Sequence, residues 1–229
     1  MSEAGGEIPE TTKLAERVSR LKDEHNYGSV LGLIVVLFIF ADVAPTAPWA
    51  TAVILILQGL TFAIALWTSR RELERHGASV VLVIAALLAA LELVHGNGRI
   101  LTGAVAIFSA TLTVATAYVI GRGVLRQEQI NTQSVSGAIG IYLLLGIFFI
   151  FVFGAIQALG HRPFFVQGQA SRPLLLYYSF ITMTTVGYGD YTSASQVGKT
   201  FAVIEALAGQ LYLVTVVAIL VSQFGRARG

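Results

Sequence analysis

Thr182-Met183-Thr184-Thr185-Val186-Gly187-Tyr188-Gly189-Asp190 is the stretch that decides how the rest of this 229-residue chain is read. Threonines followed by alternating glycines suit a segment in which the backbone, not the side chains, does the chemistry. Successive carbonyl oxygens pointed at a common axis replace the water around a bare cation. Such a path needs backbone angles that residues with a Cβ adopt only under strain, and Gly187 and Gly189 fall where glycine relieves it. Thr185 adds a hydroxyl at the inner end. A glycine-containing turn between two apolar helices also accounts for Gly187-Tyr188-Gly189, but leaves the threonines and Asp190 without a reason.

The chain around this stretch is 55% hydrophobic and 12% charged, with no cysteine and a net charge of +2. That balance is far from a soluble domain and describes an integral membrane protein. Disulfide frameworks and thiol metal sites are excluded. Apolar runs occupy 28–44, 49–68, 79–95, 100–120, 135–159 and 199–224. Each approaches or exceeds the roughly 17 to 25 residues a helix needs to cross a bilayer, so six spans are expected. The first follows a polar segment and lacks a cleavage signature, so it reads as a retained span. Within that segment, 9–26 fits an amphipathic helix on the inner leaflet, with Leu14, Val18 and Leu21 on one face, and fits a solvated tail equally.

Arg172-Pro173 begins a shorter helical stretch ending at Thr184, with proline where the first helical turn needs no amide donor. Too short to span, it reads as a re-entrant helix surrounded by protein. With the amino terminus inside, eleven Lys and Arg residues fall on inner segments and four (Arg99, Arg162, Arg172 and Lys199) on outer ones. This obeys the positive-inside rule and directs Tyr188, Gly189 and Asp190 outward. Both termini are then cytoplasmic, in a multi-pass protein of the cell (inner) membrane.

Thr185 to Gly189 resembles the selectivity filter of tetrameric potassium channels, and six spans with a loop before the last resemble the voltage-gated cation channel superfamily. The 141–146 segment IYLLLG and the 205–213 segment EALAGQLYL look like those of small bacterial six-span potassium channels whose sensor half has degenerated. The resemblance implies an all-α membrane protein with a re-entrant pore helix, assembled as a homotetramer because the chain carries one loop. It implies K+ as permeant ion, bound at Thr185, Val186, Gly187 and Tyr188, with Gly189 completing the filter. It also implies that Tyr177 and Tyr178 brace the filter from behind, with Asp190 as hydroxyl partner, and that Thr184 supports it. Where some members carry a pore-helix glutamate, this chain has Ile181. The organisation expected is an amino-terminal segment over 1–27, a voltage-sensor-like domain over 28–121, an inner linker over 122–134 and a pore domain over 135–229.

The fourth span departs from the superfamily, having no Arg or Lys between Ile100 and Ile120. One elementary charge moved through 100 mV is worth about 2.3 kcal/mol, and steep gating takes several per subunit. For Asp42 and Glu92, pairing with Arg99 and hydration at the interface are both open. In the last span Glu205 is the interior charge, readable as a proton-sensitive latch or as a strut bonded to Thr182 or Thr184, the strut being preferred. The resemblance makes Gly209 the hinge of the inner helix. Leu213, Val217 and Phe224 follow it at helical spacing and either line the pore or pack on the fifth span.

The expected activity is passive, potassium-selective conduction without strong voltage dependence. Glu205, Gly209, Leu213, Val217 and Phe224 are the gating candidates. The alternatives are a regulatory subunit of a heteromeric cation channel and a six-span membrane enzyme. No serine nucleophile and base stand together in the spans, so no enzyme is expected. Neither a cofactor nor a nucleic-acid partner is implied. The partners are the lipid bilayer and further copies of the chain. With 225–229 alone following the last span, no soluble ligand-binding domain is expected.

Overall fold

The computed structural model describes residues 27–68, 75–96, 98–126 and 132–226. They form α1 (Tyr27–Val43), α2 (Pro48–Thr68), α3 (Arg75–His95), α4 (Arg99–Leu125), α5 (Thr132–Leu159), α6 (Arg172–Met183) and α7 (Gln196–Arg226). Among the described residues there is no strand, only isolated bridges from Phe165 to Gly168 and to Ser193. The amphipathic helix expected over 9–26 lies outside the described residues.

Four helices, α2, α4, α5 and α7 over Gln196–Val216, are long and apolar enough to cross a membrane. Of the six spans expected, the other two fall on α1, 17 residues from the first described residue, and on α3, whose 21 residues carry the apolar stretch Ser79–His95. The expected linker over 122–134 also contracts, because α4 runs on to Leu125 and α5 begins at Thr132. Arg122 holds the last turn of α4, its guanidinium donating to Tyr118 Oη at 2.8 Å across one helical turn. A cation there also suits the negative end of the helix dipole.

Helix α5 is the hub, packing against α1, α4, α6 and α7. Its apolar sequence leaves few faces free: Phe149, Ile150 and Phe153 are buried in a cluster with Phe164, Phe165, Leu175 and Tyr178. The first half is built on α2, which contacts α1, α3 and α4. Its small apolar clusters, such as Ala52, Leu55, Ala89 and Val105, let the helices approach closely.

Between α2 and α4 runs a buried polar seam. Gln58 Nε2 donates to Thr113 Oγ1 at 3.1 Å and to the Ser109 carbonyl at 3.5 Å. Thr113 and Thr116 return their own hydroxyls to carbonyls one turn back, at 2.7 and 2.8 Å. The inward face of α4 therefore carries Ser109, Thr113 and Thr116, all buried.

α4 and α5 form an antiparallel pair within one chain. A Cβ at Gly103, near the start of α4, would lie 2.8 Å from Leu159 Cγ at the end of α5. In this cysteine-free chain, Gly103→Cys with Leu159→Cys is expected to oxidise to an intrachain disulfide. The double variant should run as a monomer on a denaturing gel with both thiols consumed. A ladder of cross-linked chains would instead mean that α4 meets the α5 of another copy.

Candidate functional site

The site begins with α6. Ser171 caps it, with extended φ and ψ of −82° and 163°, and its hydroxyl accepts from the Leu174 amide at 3.4 Å. Pro173 sits in the first turn. The helix ends at Met183, after which Thr184 folds its hydroxyl back on the Phe180 carbonyl at 2.6 Å. The next residues leave helical geometry altogether. Thr185, Gly187 and Gly189 have φ of 61°, 47° and 77°. A Cβ on either glycine would meet nothing within 4 Å, so the backbone angle, not crowding, is what requires glycine there. Thr185 takes the same angle with a β-branched side chain, a strained conformation that reading glycines alone does not anticipate. Two amides tie the turn down: Thr185 to the Thr182 carbonyl and Gly187 to the Ile181 carbonyl, each at 3.0 Å. Beyond it Val186 and Tyr188 are 54% and 73% exposed.

The flanking segments hold this turn in place. Tyr177 donates its hydroxyl to Asp190 Oδ2 at 2.8 Å. That hydrogen bond is the largest cause pushing the Tyr177 phenol up to about 12. Tyr178 turns the other way, its ring 5.1 Å from Phe165 and 5.4 Å from Phe153, so of the paired tyrosines only Tyr177 reaches Asp190. The outer segment binds the chain after Asp190 through Val166 to Thr192 at 2.9 Å and Ala194 to Phe164 at 2.8 Å.

Behind α6 stands Glu205 of α7, 0% exposed. Its partner is neither Thr182 nor Thr184 but Ser179, one turn nearer the start of α6. The Ser179 hydroxyl lies 2.5 Å from Glu205 Oε1 and 2.9 Å from the Gly146 carbonyl of α5. The Ser179 hydroxyl thus has one proton for two acceptors, one on α5 and one on α7. Four residues on, Gly209 abuts the end of α6: a Cβ there would lie 2.7 Å from the Met183 carbonyl oxygen. Close approach is thus the packing reason for a glycine at 209. Leu213 is 37% exposed. Val217 and Phe224 lie in α7, with side chains outside the described residues.

At the other end of α6, Arg172 donates to Thr51 Oγ1 of α2 at 2.8 Å. Burial lowers its pKa from the ordinary arginine value, and the charge of Glu92 opposes that shift. Arg99 donates instead to the carbonyls of Ala158, at 3.4 Å, and Gly160, at 2.5 Å. The charge of Glu92 thus acts on Arg172, a residue that the sequence reading, which offered pairing with Arg99 or hydration, did not name. Sequence spacing did not single out Ser179, Thr51 or Gln58. Each is a polar side chain in an apolar run, which is the signal that marks it.

Residues 137–226, covering most of α5, then α6, the 182–190 stretch and α7, match the sequence family described as ion channel. The chain is similar to the A-type voltage-gated potassium channel KCND3 of Rattus norvegicus, Homo sapiens and Mus musculus, 30% identical to each over 94 residues. That stretch is 41% of this chain and 14% of each relative, so the chain matches a small part of their length. No solved structure matches the chain. The similarities join this segment to potassium channels, not to an enzyme.

Ser179→Ala would leave both carboxyl oxygens of Glu205 unpartnered, since Oε2 already is. The expected loss is about 1 to 3 kcal/mol of stability in denaturant unfolding, with Ser179→Thr restoring most of it. Tyr177 gives a pH test. Its phenol is held protonated above the ordinary value of 10.0, so the contribution of the Asp190 bond is present below pH 10 and is lost as pH rises toward about 12. In ultraviolet difference titration against Tyr177→Phe, the Tyr177 signal should move back toward 10 in Asp190→Asn.

Proposed function

We propose that this chain is the subunit of a homotetrameric, potassium-selective channel that conducts K+ passively through the cell membrane. The observation that carries the reading is the 182–190 stretch itself: positive φ at Thr185, Gly187 and Gly189, immediately after a helix too short to span, with the apolar side chains of Val186 and Tyr188 left uncovered. A turn of this kind at membrane depth needs protein around it, and further copies of the chain supply that cover. Four copies bring the carbonyls of Thr185, Val186, Gly187 and Tyr188 into rings that take the place of water around K+. α6 is then the pore helix, its negative end toward the central cavity, and α5 and α7 are the outer and inner pore helices. α1 and α3 complete the six spans. Both termini lie in the cytoplasm.

In this reading 28–121 is a voltage-sensor-like domain without a sensor, with hydroxyls on α4 in place of cations. The hydroxyls of Thr113 and Thr116 bond within the protein, and no charge crosses the field when they move. Glu205 is the strut that fixes α6 against α7, and Gly209 the point about which α7 swings, with Leu213, Val217 and Phe224 below it.

Purified protein in planar bilayers under opposed potassium and sodium gradients provides the test. The reversal potential should lie near the potassium value, with open probability varying weakly over the accessible voltages. A reversal near zero would overturn selectivity. Steep opening, equivalent to several charges per subunit crossing the field, would overturn the sensorless reading of α4.

A further inference from the structure

A cavity of about 550 Å³ lies among α2, α3, α4, the second half of α5 and the start of α6. Two charged side chains in its wall have bonding atoms that nothing meets among the described residues. Glu92 of α3 is 1% exposed, and its Oε1 has no hydrogen-bond partner. Arg172, at the first turn of α6, gives Nη2 to Thr51, while Nη1, equally shielded, has no acceptor. Each unmet atom of a buried charge costs free energy, and the paired charge alone does not repay it. Two other polar groups of the wall are committed elsewhere. Arg99 is bonded to two carbonyls, and Gln157 exchanges two hydrogen bonds with the backbone of Ala170. Arg162 completes the charged lining.

The unmet atoms define what fits. The occupant must accept from Arg172 and donate to Glu92, which no simple anion or cation does. With Arg99 and Arg162 beside Arg172, the wall carries more positive than negative charge. The anionic end is therefore best met by a phosphate, whose several oxygens suit guanidinium donors and the amino end of a helix. The donor end is an ammonium that keeps at least one N–H. We propose that this cavity binds a phosphoethanolamine group, with its phosphate on Arg172 and its ammonium on Glu92. The cavity stands at the outer ends of the spans, at headgroup depth, so a membrane lipid is one source and the free phosphate ester is the other. Its occupant joins α3 to the residue that starts α6, and so reaches the helix leading into the 182–190 stretch.

The inference rests on the membrane placement above, but its test reads binding and not current, so its failure leaves conduction untouched. The delipidated full chain is measured by native mass spectrometry with phosphatidylethanolamine, its N-methyl, N,N-dimethyl and N,N,N-trimethyl forms, and phosphatidylglycerol. Glu92 Oε1 needs one N–H, so retention should hold through the dimethyl form and fall about tenfold at the third methyl, the loss expected for one charge-assisted bond. Phosphatidylglycerol, without a cation, should bind as weakly as the trimethyl form. In Glu92→Gln, with helical content unchanged, the preference should shrink to within about threefold. If free phosphoethanolamine binds while the lipids do not, the same site takes a soluble ligand. Equal retention across the methyl series, or a preference that survives intact in Glu92→Gln, overturns the assignment, as does binding of neither lipid nor free ester.

Discussion

Backbone that leaves helical geometry cannot satisfy its own amides and carbonyls, and the structure around 182–190 is an answer to that constraint. Regular secondary structure would hold these residues through their own hydrogen bonds; without it they must be held from outside. α6 supplies the base, capped by Ser171 and turned out of helical geometry at Thr185. Everything that touches α6 then becomes part of the support. Thr51 takes Arg172 at its start, Gly146 and Glu205 meet Ser179 at its middle, and Gly209 admits Met183 at its end. The contacts come from α2, α5 and α7, so no single helix positions the site.

This explains where polar side chains occur in a chain so short of them. Apolar surface gives little specificity between helices in lipid, because the lipid is as apolar as the partner. Register is instead set by small residues that allow close approach and by isolated polar groups that must find one another. Gln58 with Thr113 does this between α2 and α4, and Ser179 with Glu205 between α6 and α7. The aromatic cluster of Phe153, Phe164, Phe165 and Tyr178 fills the space between these fixed points. The strain at Thr185 persists because the amides of Thr185 and Gly187 and the Tyr177 to Asp190 bond over-determine the turn.

Much of the fold was legible in the sequence because the bilayer reduces helix recognition to the length of an apolar run. The stretch ending at Thr184 was equally plain, since Pro173 marks its start and the glycine-rich segment its end. Positive φ was expected at Gly187 and Gly189 and occurs there. Thr185 was not expected to share it, because its side chain argues for extended backbone and only the surrounding contacts overrule that preference. The partners of buried charges were the least legible. Thr182 and Ser179 are three residues apart on one helix, and which of them faces Glu205 depends on the rotation of α6 against α7. Periodicity narrows that choice to a face but does not make it. Likewise the sequence offered Arg99 as a partner for Glu92 with hydration as the alternative, and it did not show that Arg99 would meet the carbonyls of Ala158 and Gly160.

The pairing of α4 with α5 has a consequence for how the protein is made. The two helices are joined by the brief 126–131 connection and lie side by side in one chain. A contact between neighbours in sequence closes at small entropic cost and early, without waiting for another molecule. The first four helices are thus anchored to their own chain's α5 as soon as that helix enters the bilayer. In the proposed tetramer, what is left for encounters between chains includes the exposed face around Val186 and Tyr188. Synthesis of that subunit and assembly of the tetramer are then separable events, with membrane insertion finishing the first before the second begins.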